Sequence, residues 1–494
     1  MDRLVTHHRA ALGRSAKRRA AIIGTLLLAL SAPGAMADPP ASAPVMPAAS
    51  PLPEPGGGPA TLSPFTGNDE VEDRLDPASR LMLAGERLDD HLLRRFYLAH
   101  HYQMVWNHYP RQATVLWDLV RHATRQGLDP ALFHSIALTR HWARLSPVER
   151  DLLLSDAFLS YAEALAGGAV PVADRDDNEA LRAPSVDIVA ALDAALAAPD
   201  PAARIEALAP SSPEYEALCR AYLAAHAIAA REPGSGPGRQ RPTPARIAAA
   251  QWQVRQLAVN LERLRWLPRS MPGDRVVVDT AVAQLRMFRD DRPIFTTRVV
   301  IGEFDKQTPE FQSVISGILF NPPWNVPRSI FEKEIRPKLA ANRHYLAEHH
   351  MRWRGAGEVQ QAAGPYSSLG RLKFEMADRF DVYLHDTPEK WRFAAAERLM
   401  SHGCVRVENP NVLAAMLLGE SPQAIAAAIA VERTHGRKLP QPMPVFLVYR
   451  TAVAESDGTI AFRGDPYERD ARIWAYLDRV QQPSISHEVI ASQR

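Results

Sequence analysis

FDVYLHDTP (380–388) and, one loop later, SHGCVRVENP (401–410) decide how this chain is read. The first is a short β-branched and aromatic run, FDVYLHD (380–386), bounded by Asp and Pro. That composition predicts a strand, with His385 at its end. Working outward, RVVVD (275–279), RVVIG (298–302), SVISGILF (313–320), VFLVY (445–449) and TIAFR (459–463) have the same character. Together they predict a mainly β catalytic domain over 271–465. RSIFEKEIRPKLAANRHYLAEHH, between the third and fourth runs along the chain, is helical in pattern. It reads as an insertion of about 328–365 that caps a site.

SHGCVRVENP holds one of only two cysteines in the chain. A cysteine nucleophile needs a base, donors for a developing oxyanion and an accessible position. His385 lies 19 positions before Cys404, a loop length that lets a strand-end imidazole return to face a thiol. Gly403 permits close backbone approach to a substrate carbonyl, and its N–H and that of Cys404 are candidate oxyanion donors. His402 reads as a supporting residue. Arg406 has two readings, pairing with a substrate carboxylate or bracing the loop. Trp324 and Asn325, in WNVP (324–327), are read as substrate wall or packed turn. Ser401 and Tyr383 complete the candidate substrate contacts. A metal set of His385, Asp386, His402 and Cys404 lacks a CxxC or HExxH pair, so no metal and no other cofactor is expected. Cys219 sits in a helical pattern, EYEALCRAYLAAHAIAA, where a buried thiol acts as a small apolar side chain.

The rest of the chain is helical or linker. Residues 71–230 predict an all-α scaffold domain, with Leu81, Leu88, Leu92 and Phe96 on one face of its first helix. Residues 38–70 are a Pro/Ala-rich spacer predicted to be disordered, and 231–246 form a second linker. A connecting helix is expected over 247–270 and a C-terminal tail over 466–494. At the N-terminus Arg9, Arg14, Lys17, Arg18 and Arg19 precede the apolar run 20–30. Ala35-Met36-Ala37 follows in the small-x-small pattern of a cleaved export signal (1–37), which predicts a periplasmic protein. Removing those residues takes away six basic side chains and one acidic one, so the net charge falls from +2 to −3. A mature chain so close to neutral has no electrostatic footprint for nucleic acid, and no later segment is apolar enough to span a membrane.

His385, then fifteen residues, then Ser401-His402-Gly403-Cys404 resembles the signature of the YkuD-type L,D-transpeptidases, bacterial enzymes of peptidoglycan. NLERLRWLP, TPEF, FNPPWNVPRSI, LGRLKFEM and GTIAFRGDPYERD resemble further landmarks of the large periplasmic YcbB-like subgroup. The likeness covers most of residues 90–470. It implies an α+β multidomain chain in which Cys404 attacks a stem tetrapeptide and a second stem peptide accepts the acyl group. Stem peptides are then donor and acceptor, cell-wall synthesis proteins are potential partners, and carbapenems are expected to acylate the thiol. An L,D-carboxypeptidase would use the same residues, and a non-catalytic wall scaffold is a third reading. Papain-like hydrolases place the cysteine before the histidine, the reverse of this order. Two departures stand out. The subgroup's small wall-binding module is replaced by REPGSGPGRQRPTP, and Pro365-Tyr366-Ser367-Ser368 precede Leu369-Gly370.

Overall fold

The computed structural model describes residues 66–76, 81–233, 242–355, 357–455 and 457–478. The expected signal, nearly all of the 38–70 spacer, the middle of the second linker and the chain beyond 478 lie outside the described residues. The fold is α+β, a helical scaffold domain followed by a mainly β domain. Among the described residues no single helix is long and apolar enough to cross a membrane.

The scaffold is built around Pro147–Gly167. Ser146 caps this helix by accepting from the Glu149 N–H (3.1 Å), and Glu149 reaches back to the Ser146 N–H (2.9 Å), a reciprocal capping box. The helix is buried on nearly all sides, so its polar residues need partners. Asp151 accepts from the Tyr97 hydroxyl (2.6 Å) and the N–H groups of Val105 and Trp106. Asp156 accepts from the Asp89 N–H and pairs with His134 (2.6 Å). The expected first helix is shorter than its periodicity suggested. It runs Asp90–Ala99, and a hairpin of Met82–Leu83 with Glu86–Arg87 precedes it. Gly85, at φ = +83°, makes the turn that a helix could not. Leu81, Leu88, Leu92 and Phe96 are still all buried. Another helix, Thr66–Arg74, extends into the segment expected to be disordered linker, and Val71 is fully buried.

The connecting helix runs Pro244–Arg265, and it is a wedge rather than a free connector. Every residue from Gln256 to Arg265 is buried. Glu262 accepts from the N–H groups of Ala169 and Val170 in the scaffold. Asn260 exchanges hydrogen bonds with Thr451, and Arg263 pairs with Asp470, both from beyond the barrel. Residues 466–478 correct the expected tail: Asp470–Leu477 is a helix, and Tyr467, Asp470, Ile473 and Leu477 are buried.

The β domain has a nine-stranded sheet. Its order is Leu399–Ser401, Arg292–Gly302, Val405–Val407, Leu384–His385, Leu372–Met376, Phe311–Phe320, His435–Val448, Arg275–Asp279 and Gln284–Arg289. Gln284–Arg289 also pairs with Arg292–Gly302, so eight strands close on themselves and Leu399–Ser401 lies alongside. Closure removes exposed strand edges. The inward residues, among them Val276, Val278, Leu285, Ile301, Ile318, Phe374, Leu384, Val405 and Leu447, form one core with Leu413 and Ile425 of the following helices. The expected strand 380–386 shrinks to Leu384–His385. Asp378 accepts from the N–H groups of Phe380 and Val382, and Asp381 sits at φ = +55°, so a side-chain-bonded turn displaces the strand's first half. The insertion is mixed rather than helical. Helical turns over Arg328–Glu348 lead to a three-stranded sheet of Trp324–Asn325, Val359–Gln361 and Met351–Trp353, on a separate core of Val326, Ile335, Leu346 and Val359.

Candidate active site

Strand alternation places the chemistry. Leu384, Val405, Leu372 and Phe374 point into the barrel core, so their neighbours face the other side. Lys373 lies opposite His385, and His385 opposite Arg406. These three make one row across three strands. One step along, Leu384 lies opposite Val405, and the Val405 N–H donates to the Tyr383 carbonyl, so Tyr383 and Cys404 flank the same junction. The pleat thus collects Cys404, Tyr383, His385, Lys373 and Arg406 on one face.

Tyr383 is the nearest partner of the thiol. Its hydroxyl and its backbone N–H both favour the Cys404 thiolate electrostatically, and Trp324 acts in turn on the Tyr383 hydroxyl. Cys404 is half-buried, and its Sγ lies 3.6 Å from the Asp381 carbonyl. Burial pushes the thiol up, partly offset by Tyr383 and by the Lys373 ammonium, which stands 4.2 Å over the Tyr383 ring. His385 is buried, its Nδ1 lies 2.5 Å from the Asp386 carbonyl, and the Leu369 backbone also acts on the ring; a neutral imidazole carries one proton and one lone pair. Burial and then the Arg406 charge push His385 down to about 3. The resting site therefore holds a neutral thiol beside a neutral imidazole. The imidazole was expected to face the thiol. It shares the face one residue pair further along, its ring 5.7 Å from that of Tyr383.

Several expected roles change. Arg406 takes the bracing role, paired with Glu389. Ser401 is buried and serves the turn: its Oγ donates to the Cys404 carbonyl (2.6 Å) and accepts from the Gly403 N–H (3.2 Å). That second bond occupies one of the two expected oxyanion donors. Gly403 is needed for its φ of +115°, since the nearest atom to an added Cβ is 3.7 Å away. Asn325 is exposed and bound to Gln360 (2.7 Å) within the insertion. His402 turns away from the thiol and pairs with Glu334 on the insertion, which also takes Lys306 (3.2 Å). Against its partial burial, the hydrogen bonds from His402 and Lys306 hold the Glu334 carboxyl below its usual range. Tyr383 lies beside Cys404, and Trp324 acts on Tyr383. Lys373, Thr308, Glu334 and Glu389 had not been singled out. Only Lys373 left a signal, as the polar residue between two apolar ones in LGRLKFEM. Among the described residues no group of three or more His, Cys, Asp or Glu side chains is placed to hold a metal ion.

The scaffold domain family matches residues 91–221, and the L,D-transpeptidase catalytic domain family (YkuD) matches residues 273–425. A Haemophilus influenzae protein named "Putative L,D-transpeptidase" is 33% identical over 243 residues, 44% of this chain. The match spans about half of that relative, 49% of its length. An L,D-transpeptidase from Mycobacterium smegmatis has 12% identity and a TM-score of 0.20, covering 36% of this chain and 58% of that one. L,D-transpeptidase 3 from Mycobacterium tuberculosis, in complex with a faropenem-derived adduct, has 11% identity and a TM-score of 0.20, covering 36% and 62%. Those two structural likenesses are too slight to bear on geometry. With both domain families matched in order along the chain, and the cysteine and histidine inside the second, this protein carries a YkuD L,D-transpeptidase catalytic domain behind a helical scaffold domain, the YcbB-like architecture.

Proposed function

We propose that this protein forms peptidoglycan cross-links through a Cys404 thioester, in the periplasm. The observation that carries the reading is the single sheet face shared by Cys404, Tyr383, His385 and Lys373 beneath the insertion. The thiol proton passes to the unprotonated ring nitrogen of His385 as sulfur adds to the carbonyl at the L-centre of a stem tetrapeptide. The C–N bond to the terminal D-amino acid then breaks, and the leaving amine takes that proton. An amine of a second stem adds to the thioester and gives its proton to His385, which returns it to the departing sulfur. The Tyr383 hydroxyl stabilises the thiolate each time it forms. Lys373 binds the carboxylate of the leaving D-residue, because Arg406 is already paired with Glu389 and Lys373 lies in the adjacent register position. Transfer rather than hydrolysis needs a shielded thioester, and the insertion, latched through Glu334 to His402, supplies the shield. Purified protein incubated with tetrapeptide muropeptides should give dimers by mass spectrometry. Shortened monomers alone would make it an L,D-carboxypeptidase, and unchanged substrate would refute both. Carbapenems should acylate Cys404, seen by intact mass; an adduct on Cys219 would refute the assignment.

A further inference from the structure

Thr308 is fully buried behind the catalytic loop. It lies outside the cysteine–histidine face and has no place in the mechanism above. Its Oγ1 donates to the Gly403 carbonyl (2.7 Å) and accepts from the Gly302 N–H (2.9 Å). A threonine hydroxyl has one proton, so that proton is committed to Gly403. The Gly403–Cys404 peptide is planar and trans, as no cis peptide is present in the structure. In such a unit the C=O and the N–H point in opposite directions. Holding the Gly403 oxygen on Thr308 therefore sets the direction of the Cys404 N–H. That N–H has no acceptor among the described residues, whereas the Gly403 N–H is occupied by Ser401. Of the two donors beside the thiol, the one left for an oxyanion is the one Thr308 orients.

Thr308 is itself held from outside the matched catalytic domain, which ends at 425. The Tyr467 hydroxyl accepts from the Thr308 N–H (3.3 Å) and donates to the Gly302 carbonyl (2.7 Å). Arg469 donates to the Thr308 carbonyl (3.0 Å), to Gln307 Oε1 (3.0 Å) and to Glu310 (3.1 Å). Glu310 is also where the scaffold joins the barrel, through its bridge with Glu179 and the Ala180 N–H. We propose that Thr308 is a positioning residue that aims the Cys404 N–H at the developing oxyanion, and that Tyr467 and Arg469 clamp it there.

This rests on the acyl-transfer reading, so the test uses two reactions of the same sulfur in the full chain. Acylation by a carbapenem builds an oxyanion, whereas alkylation by iodoacetamide does not. Removing an oxyanion donor outright costs about 10²–10³ in rate, and a misaimed donor approaches the lower end. Thr308→Val should slow acylation about a hundredfold while alkylation stays within about twofold. Thr308→Ser, which keeps the hydroxyl, should acylate within about threefold of the parent. Tyr467→Phe keeps its ring stacked on Tyr449 and should slow acylation about fivefold; it decides the matter if Thr308→Val does not fold. Acylation at the parent rate in both Thr308→Val and Tyr467→Phe, an equal fall in acylation and alkylation, or failure of serine to rescue would each overturn the proposal. A parent protein that is alkylated but never acylated would refute the acyl-transfer reading itself, and the oxyanion role with it.

Discussion

The electrostatics of the site predict how the thiol responds to pH. Only the thiolate reacts with iodoacetamide, so the alkylation rate follows the ionised fraction. An ordinary thiol ionises near 8.5 and is about 3% thiolate at pH 7. Burial pushes Cys404 up from its usual range, so its ionised fraction at pH 7 is smaller still. The His385 ring, pushed down to about 3, carries no proton to share across the working range. Between pH 6 and 8 the rate should therefore climb about tenfold per pH unit, with no acid plateau. Tyr383→Phe removes the hydroxyl that favours the thiolate, and a hydrogen bond to a charged acceptor is worth about 1.5 kcal/mol or more. The rate at pH 7 should then fall about tenfold, with the rise displaced to higher pH. His385→Ala should leave the alkylation profile in place while lowering acyl transfer by about 10²–10⁴. The assay is second-order alkylation followed by intact mass at half-unit pH steps. A flat rate at low pH, or an inflection below 7, would mean a stored thiolate–imidazolium pair and would refute this account.

Cys404→Ala should abolish acyl transfer and leave the melting curve and circular dichroism of the parent, since a small side chain is lost from a half-buried position; retained turnover would remove Cys404 from the mechanism. In the scaffold, carboxylates of Asp156 and Glu86 outweigh the burial of His134 and raise it from 6.5 to about 9. A raised folded value gives stability that is fully present below 6.5 and lost as pH rises to about 9. The full shift corresponds to roughly 3 kcal/mol. Urea melts at pH 6.5 and 9 should show this loss in the parent, and His134→Gln should remove most of it; an unchanged difference in the variant would rule His134 out as its source. Glu262→Ala strips the partner from the Ala169 and Val170 N–H groups and the carboxylate from the buried Arg265, which keeps only the Tyr215 hydroxyl and the Gln126 carbonyl. Breaking a buried pair costs about 3–5 kcal/mol, which urea denaturation should register.

Much of the site was legible because it is local. His385, Cys404 and the glycine between Cys404 and His402 sit within twenty positions of one another, and strand composition announced RVVVD, which is the strand Arg275–Asp279. SVISGILF and VFLVY likewise fall within Phe311–Phe320 and reach the end of His435–Val448. The short strands Leu399–Ser401 and Val405–Val407 were missed. Three residues carry too little periodicity to register, and their place comes from pairing with Arg292–Gly302.

Residue types and short-range pattern, read from the chain alone, determined a helical half, a β half and a cysteine preceded by a strand-end histidine. Only the tertiary structure decided which side chains those two residues work with. Arg406 and Ser401 were plausible substrate contacts until the fold brought Glu389 to one and turned the other onto the Cys404 carbonyl. Tyr383 acquired its sulfur, and Thr308 its hold on Gly403, through contacts between segments 21 and 95 positions apart. Such partnerships depend on strand register and barrel closure. A register shift of one residue would turn every one of these side chains to the opposite face, and nothing in a single segment records the register of its neighbour.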